Sequence, residues 1–421
     1  MTTTTAIARG PAAWTAGAWI KIAFAMFAVG WGANQFSPML IVYRHELRLG
    51  AGAVAGLFLV YALTLIPGLL IGGPASDRFG RRPVVLPFVA LSPLATLLLV
   101  LGPRSLVMIA VGRALAGLCS GVVFGAATAW VQELSQGDGL SARRSALAIT
   151  AGFGLGPVVA AVLAQWVSDP LVVPYLPHLV IGTVAAIVLW RTPERAAAAP
   201  VRVAGSQAPI HAKRAWPPAA VRTARFWLAV APAAPLVFGS VSLAIVVLPE
   251  EVTSARSLSA GFAGLMTALS FSAGVAVQPL ARRLRNALAG SAAGLGCATA
   301  GAGIGIAAVA ASDRVLGGAA AVLLGLAYGL CLVSGLRQAE RMAAPGEHGA
   351  VVACYYAVAY LGFAAPYLVD GLGLAAGKTG AFVLLTGVIA VLAIWTTGYA
   401  LWRGKADRAK ALDTPALVRA Q

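Results

Sequence analysis

The side chains able to do chemistry in this chain are few and unevenly placed. Its 421 residues hold 14 Asp and Glu, 31 Lys and Arg, four His and four Cys. The densest group is GGPASDRFGRRP, Gly72–Pro83, where Asp77 stands among Arg78, Arg81 and Arg82. A carboxylate at a helix end can cap the positive N-terminus of a neighbouring helix. Gly80 permits a tight reversal where a side chain would clash. That is the chemistry of a tie between helix ends. A second feature is Arg113 in IAVGRALAGLCSG, a cation well inside an apolar run. A third is AGFGLGPVVAA, with Gly152 and Gly156 four apart and Pro157 next. Small residues at that spacing let helices touch backbone to backbone, and the proline removes a hydrogen bond and bends its helix.

Catalysis would need a His/Asp/Ser set or metal ligands gathered at one place. His45, His178, His211 and His348 fall at expected helix ends or in loops, with no acid beside them inside. Cys119, Cys297, Cys331 and Cys354 lie in apolar runs without a CxxC pair, which reads as packing rather than a disulfide framework or metal site. No Gly-rich phosphate loop with a lysine is present to support ATP-driven transport. The expectation is a protein without cofactor or metal that is not an enzyme.

Composition supplies the solvent. The chain is 59% hydrophobic and 11% charged, and its mean hydropathy is +0.84; a water-soluble domain of this make-up would leave apolar surface exposed. The net charge of +17 is carried by short clusters between apolar runs rather than a patch on a soluble domain, so nucleic acid is not an expected partner. The first long apolar run begins near Trp19 with no small-residue cleavage site after it, and reads as an uncleaved span.

A membrane helix needs about 20 apolar residues. Twelve stretches qualify: 17–43, 52–76, 83–101, 105–134, 146–167, 171–191, 225–249, 257–280, 287–311, 315–336, 350–370 and 378–402. With a cytoplasmic N-terminus, 24 Lys and Arg fall on the cytoplasmic side and six on the outer side, the positive-inside pattern. The predicted class is therefore an all-α, multi-pass membrane protein of twelve helices in two six-helix bundles. The bundles comprise residues 1–191 and 225–402, joined by a polar cytoplasmic linker, 192–224, and followed by a tail, 403–421. QPLARRLRN after the eighth span faintly echoes GPASDRFGRR after the second, with Arg282 where the first has Asp77. Two related halves are a common transporter architecture.

These features together resemble the major facilitator superfamily. Gly73, Asp77, Arg78, Gly80, Arg81 and Arg82 fall on its joint between helices two and three, Gly-x-x-x-Asp-Arg-x-Gly-Arg-Arg/Lys. The resemblance implies that Asp77 caps helix eleven of the opposite half. It further implies that Arg81 pairs with an acid at the end of helix four, for which Glu133 is the candidate, and that this cytoplasmic latch favours the outward-open state. Arg113 and Gly117 resemble the family's helix-four motif. Gly152, Gly156 and Pro157 resemble its antiporter motif, with Ala160 and Ala161 replacing the usual glycine pair. In the family, helices one, four, seven and ten line the cavity. That makes Asn34, Gln35, Arg113, Ser240 and Tyr328 the candidates, with Tyr355 and Tyr356 of helix eleven beside them. Asn34 and Gln35 read equally well as glue between helices.

The expected function is secondary transport of a small organic molecule across the plasma (inner) membrane by a monomer with both termini cytoplasmic. Efflux in exchange for protons is the leading reading. None of the 14 acids falls in mid-span, so a coupling proton would sit on an acid near a helix end, such as Glu46, Asp77 or Asp370. The alternative is import or facilitated passage of an organic anion bound near Arg113. A sensor or scaffold that does not transport is a third reading, which the latch disfavours.

Overall fold

The computed structural model describes residues 17–135, 141–192, 217–252, 260–284, 286–344 and 347–413. Eleven helices among them are long and apolar enough to cross a bilayer as single spans. A twelfth crossing, α1, is made of two helices, Ala18–Asn34 and Phe36–Glu46, which meet at Gln35. Pro38, three residues past the junction, has no N–H to offer the Asn34 carbonyl, so the break has a local cause.

The remaining crossings are α2 (Ala51–Phe79), α3 (Arg81–Leu101), α4 (Leu106–Leu134), α5 (Ser141–Trp166) and α6 (Leu176–Trp190, entered through a 3₁₀ turn). The second half follows with α7 (Phe226–Val252), α8 (Ala260–Arg283), α9 (Ala287–Ala311), α10 (Arg314–Met342), α11 (Ala350–Gly377) and α12 (Thr379–Arg403). They form two six-helix bundles, α1–α6 and α7–α12. Among the eleven single-helix spans α7 is the most enclosed: 89% of its most apolar window is buried, against 22% for α12. α7 contains two π-helical stretches, Phe226–Val230 and Leu243–Val247, so its side chains do not keep one straight stripe.

Three expectations from the sequence change. α11 does not stop at residue 370 but runs to Gly377, whose φ of 70° ends it. Asp370 thus sits seven residues inside the helix end, roughly 10 Å along it. The expected tail begins as helix, continuing α12 to Asp413. Of the linker, residues 193–216 lie outside the described residues. Its last part is folded: a 3₁₀ turn at Ala219–Arg222 buries Ala220 and Val221, and the Trp227 indole N–H donates to the Val221 carbonyl at 2.9 Å.

The bundles touch through α5 with α8, α2 with α11, and α1 with α7 and α8. Ala161 of α5, one of the two alanines in the antiporter-like motif, packs where a side chain at Gly264 of α8 would collide with it. At the end of the molecule opposite Asp77, the Gln165 amide oxygen accepts from the Gly261 N–H at 3.2 Å, and Arg44 of α1 is ion-paired with Glu250 of α7.

Candidate functional site

The charged joint between α2 and α3 is built as a tie within the first bundle. Gly80 ends one helix and starts the next with φ 96° and ψ 158°, a conformation that side chains resist. The reversal turns Arg81 back towards α4. Its Nε and Nη2 both donate to Glu133 Oε1, at 2.9 and 2.6 Å, and its Nη1 donates to Ser76 Oγ at 2.5 Å and pairs with Asp77 at 2.6 Å. Ser76 in turn donates to the Gly73 carbonyl at 2.8 Å. The Arg81–Glu133 pair is where the sequence placed it.

Other members of the joint behave differently. Asp77 is 66% exposed and faces Arg81 rather than capping α11, whose approach at residues 345–346 lies outside the described residues. Arg82 ties the joint to α6, its Nη2 donating to the Trp190 carbonyl at the end of that helix at 2.5 Å. Arg78 lies over the ring of Phe79 at 5.1 Å. A side chain at Gly73 would meet open space, whereas one at Gly72 would stand 2.7 Å from Val122 Cα. Close approach of α2 to α4 therefore depends on Gly72 and not on Gly73.

The corresponding joint of the second bundle is held by opposite chemistry. There Arg337 of α10 donates to the carbonyls of Ala281, Arg282 and Leu284 at 3.0–3.3 Å. A cation on α10 grips backbone oxygens where, in the first bundle, a carboxylate on α4 grips a cation.

The break in α1 gathers the polar residues of the first bundle. Pro157 of α5 cannot donate to the Phe153 carbonyl one turn earlier, and the Asn34 amide fills that vacancy at 2.9 Å. Gly152 and Gly156 let α5 approach closely enough for this: a side chain at Gly152 would meet the Phe27 carbonyl, and one at Gly156 would stand 2.7 Å from the Trp31 carbonyl. Gln35 points away from the other bundle. It donates to Thr96 of α3 at 3.2 Å, and Thr96 contacts His178 Nδ1 of α6 at 2.7 Å. Both residues are helix glue, which corrects their placement as cavity lining.

Arg113 is 1% exposed. Its guanidinium lies between the rings of Phe36 and Tyr61, 4.3 and 4.5 Å from their centres, and donates to the Ala33 carbonyl at 3.0 Å and the Leu57 carbonyl at 3.5 Å. Ring faces and carbonyl oxygens carry partial negative charge, so they satisfy a cation where water is absent. Gly117, one turn on, makes this possible: a side chain there would run into the Tyr61 carbonyl and hold α2 off. Arg113 thus closes the wall of the first bundle instead of lining open space.

From Tyr61 an aromatic layer continues into the second bundle. Tyr61 and Phe58 meet Phe363 of α11 edge-on at 6.0 and 5.1 Å. Phe363 stacks on Phe238 of α7 at 4.9 Å, and Phe238 stacks on Tyr360 at 4.3 Å with 7° between planes. A second path runs from Phe153 to Phe271 of α8 at 6.3 Å and on to Tyr328 of α10 at 5.7 Å. Tyr328 therefore does stand at the seam between bundles. Ser240, on α7 two residues beyond Phe238, is buried with a hydroxyl that has no partner among the described residues. Tyr355 instead faces inwards, donating to the Cys331 carbonyl at 3.0 Å within the second bundle, which removes it from the cavity set.

Sequence reasoning missed Phe36, Tyr61, Phe238, Tyr360 and Phe363, and the full burial of His178. Mid-span aromatics gave a signal for the rings, but direction around a helix axis is not written in spacing alone. Among the described residues no group of His, Cys, Asp and Glu is arranged to hold a metal. The seam can stack planar groups and offer hydroxyls; it holds no pair of nucleophile and base.

Comparison with known proteins follows the same line. A structure of the nucleoside transporter NupG, in a substituted form, superposes with a TM-score of 0.70 at 10% identity, over 90% of this chain and 99% of that one, a likeness of fold. Multidrug resistance protein D of Escherichia coli (strain K12) is 37% identical over 98 residues, 23% of this chain and 25% of that protein. The match thus spans about a quarter of that relative. Residues 22–240 match the family model described as Major Facilitator Superfamily, just over half of the chain and all of the first bundle's ties. With its twelve crossings folded as two bundles about an aromatic seam, this chain belongs to the Major Facilitator Superfamily.

Proposed function

We propose that this chain is a membrane transporter that exports a small organic molecule from the cytoplasm in exchange for protons, working as a monomer in the plasma (inner) membrane with both termini inside. The observation that carries the reading is the contact of α5 with α1. Gly152, Gly156 and Pro157 are all used in it, and the carbonyl freed by the proline is taken by Asn34 at the break in α1. The contact lies within the first bundle, so it fixes the place of α5, the helix that meets α8 of the other bundle, and suits two bundles that rock as bodies. The multidrug-resistance relative supports the same direction over the part it shares. The proposed units are residues 1–191, 192–224, 225–402 and 403–421.

Of the three acids considered for the proton, Asp370 lies deepest, inside α11 and half-buried. Asp77 belongs to the latch, and α11 is taken to reach it when the bundles rock to the alternate state. The test is substrate accumulation in everted vesicles with an imposed proton gradient. Export predicts uptake that collapses when an ionophore dissipates the gradient, and that no longer follows the gradient in Asp370→Asn.

Import of an organic anion is the second reading, favoured by the absence of any carboxylate among the described partners of Arg113. Gradient-independent accumulation of an anion in right-side-out vesicles alone would establish that reading and end the first.

A further inference from the structure

A cleft of about 220 Å³ opens in the second bundle at the end where α7 and α9 begin and α10 and α12 finish. Arg225, just before α7, Arg341 near the end of α10 and Arg403 at the end of α12 all line it, together with Asn286, Gln338 and Tyr399. Asn286 caps α9, its side chain accepting from the Leu288 N–H at 2.9 Å, so the positive end of a 25-residue helix also faces the cleft. Gln338 is turned inwards, donating to Ser291 Oγ at 2.9 Å. Glu340 beside Arg341 is not among the residues around the cleft. Three guanidiniums brought together from three helices repel one another unless an anion sits between them.

The depth and the rim identify the anion's chemistry. Every lining residue lies within about one turn of the end of an apolar span, which is headgroup depth. Exposed Trp227 and Trp402 lie within two residues of lining residues along the chain, Tyr399 lies 5.8 Å from Trp402 ring to ring, and Trp395 donates to the Leu228 carbonyl at 3.2 Å. Aromatic residues of this kind gather at the level of lipid headgroups. Guanidinium forks match phosphate oxygens in geometry, and basic pockets between membrane helices suit phosphate-bearing headgroups.

We propose that the Arg225–Arg341–Arg403 cleft is a binding site for a phosphate-bearing anion, separate from the aromatic seam. The site does not depend on the direction of transport.

The full chain, purified in neutral detergent, is melted with added phosphatidylglycerol, phosphatidylcholine or inorganic phosphate. Phosphatidylglycerol is expected to raise the melting temperature and phosphatidylcholine to leave it unchanged. Arg225→Gln, Arg341→Gln and Arg403→Gln should each weaken the apparent affinity about fivefold, with the melting temperature in detergent alone unaltered. Arg282→Gln and Arg283→Gln, on exposed arginines at the same end but outside the cleft, should not change it. An equal, arginine-dependent rise with inorganic phosphate would assign the site to a soluble phosphate instead of a lipid, within the same proposal. No rise with either anion, an undiminished rise in the triple variant, or an equal loss in the Arg282 and Arg283 variants would overturn it.

Discussion

Arg44 on α1 is ion-paired with Glu250 on α7, so a charged tie joins the two bundles at the end opposite Asp77. Their side chains are 32% and 16% exposed, enough water for the pair to be worth no more than about 1 kcal/mol. That is small for a fold but large for a rocking equilibrium, in which it changes the ratio of two states about fivefold. Glu250→Gln should therefore move the population towards the state open at that end. Arg44→Glu combined with Glu250→Arg should restore it. Electron-resonance distances between labels on the α1–α2 and α7–α8 joints read the ratio directly. An unchanged distribution in Glu250→Gln would remove the tie from the transport cycle.

The joint at the other end makes a different prediction, because its described ion pairs lie inside one bundle. Glu133→Gln removes the negative charge that accepts two Arg81 hydrogen bonds and should lower the melting temperature by a few degrees, consistent with about 1 kcal/mol for a half-exposed pair. Asp77→Asn leaves the Arg81–Glu133 pair in place, so stability and insertion should stay normal. Transport should nevertheless fall by about tenfold or more if Asp77 holds α11 in the alternate state, a coupling of at least about 1.4 kcal/mol. Normal flux in Asp77→Asn would show that the aspartate serves only its own loop.

Arg113 tests whether a cation held by rings can be replaced by another cation. Lys keeps the charge but not the plane that lies between Phe36 and Tyr61. Desolvated cation–π contacts contribute about 2 kcal/mol, so Arg113→Lys should lose transport nearly as severely as Arg113→Ala and should also melt lower. Tyr61→Phe, which keeps a ring face, should be mild. Full activity in Arg113→Lys would mean that charge alone matters there.

Much of this architecture is legible in the amino-acid sequence, for physical reasons that differ by residue. The spans follow from hydrophobic length, and most helix ends fall within a few residues of where the apolar runs place them. Arg81 and Glu133 are legible through the joint's resemblance to the family motif, with Glu133 the acid available at the end of helix four. Gln35 is not, since helix glue and cavity lining have the same composition, and only the neighbour, here Thr96, decides. Asp370 is misplaced by hydrophobic length because the apolar run fades into Gly and Ala, residues that continue a helix inside a membrane when nothing stops it before Gly377. The aromatic seam is invisible as a unit, as its rings come from α1, α2, α5, α7, α8, α10 and α11, and contact across bundles has no sequence period.

The α5 glycines allow a test within one turn of one helix. A side chain at Gly152 or Gly156 would strike α1 backbone, which has no rotamer to escape into, whereas one at Gly154 would stand 3.7 Å from Phe271 Cβ, an ordinary contact. Gly154→Ala should thus fold and transport normally, with a slight gain in stability where the helix loses a flexible residue. Gly152→Ala should force α1 and α5 apart at a cost of about 1–3 kcal/mol, breaking the Asn34 bond to Phe153 on the way. Melting temperatures of the purified variants, paired with vesicle flux, distinguish the two positions. Equal behaviour of Gly152→Ala and Gly154→Ala would mean that the glycine spacing reflects composition alone, and the close contact of α1 with α5 would lose its role in holding α5 for the second bundle.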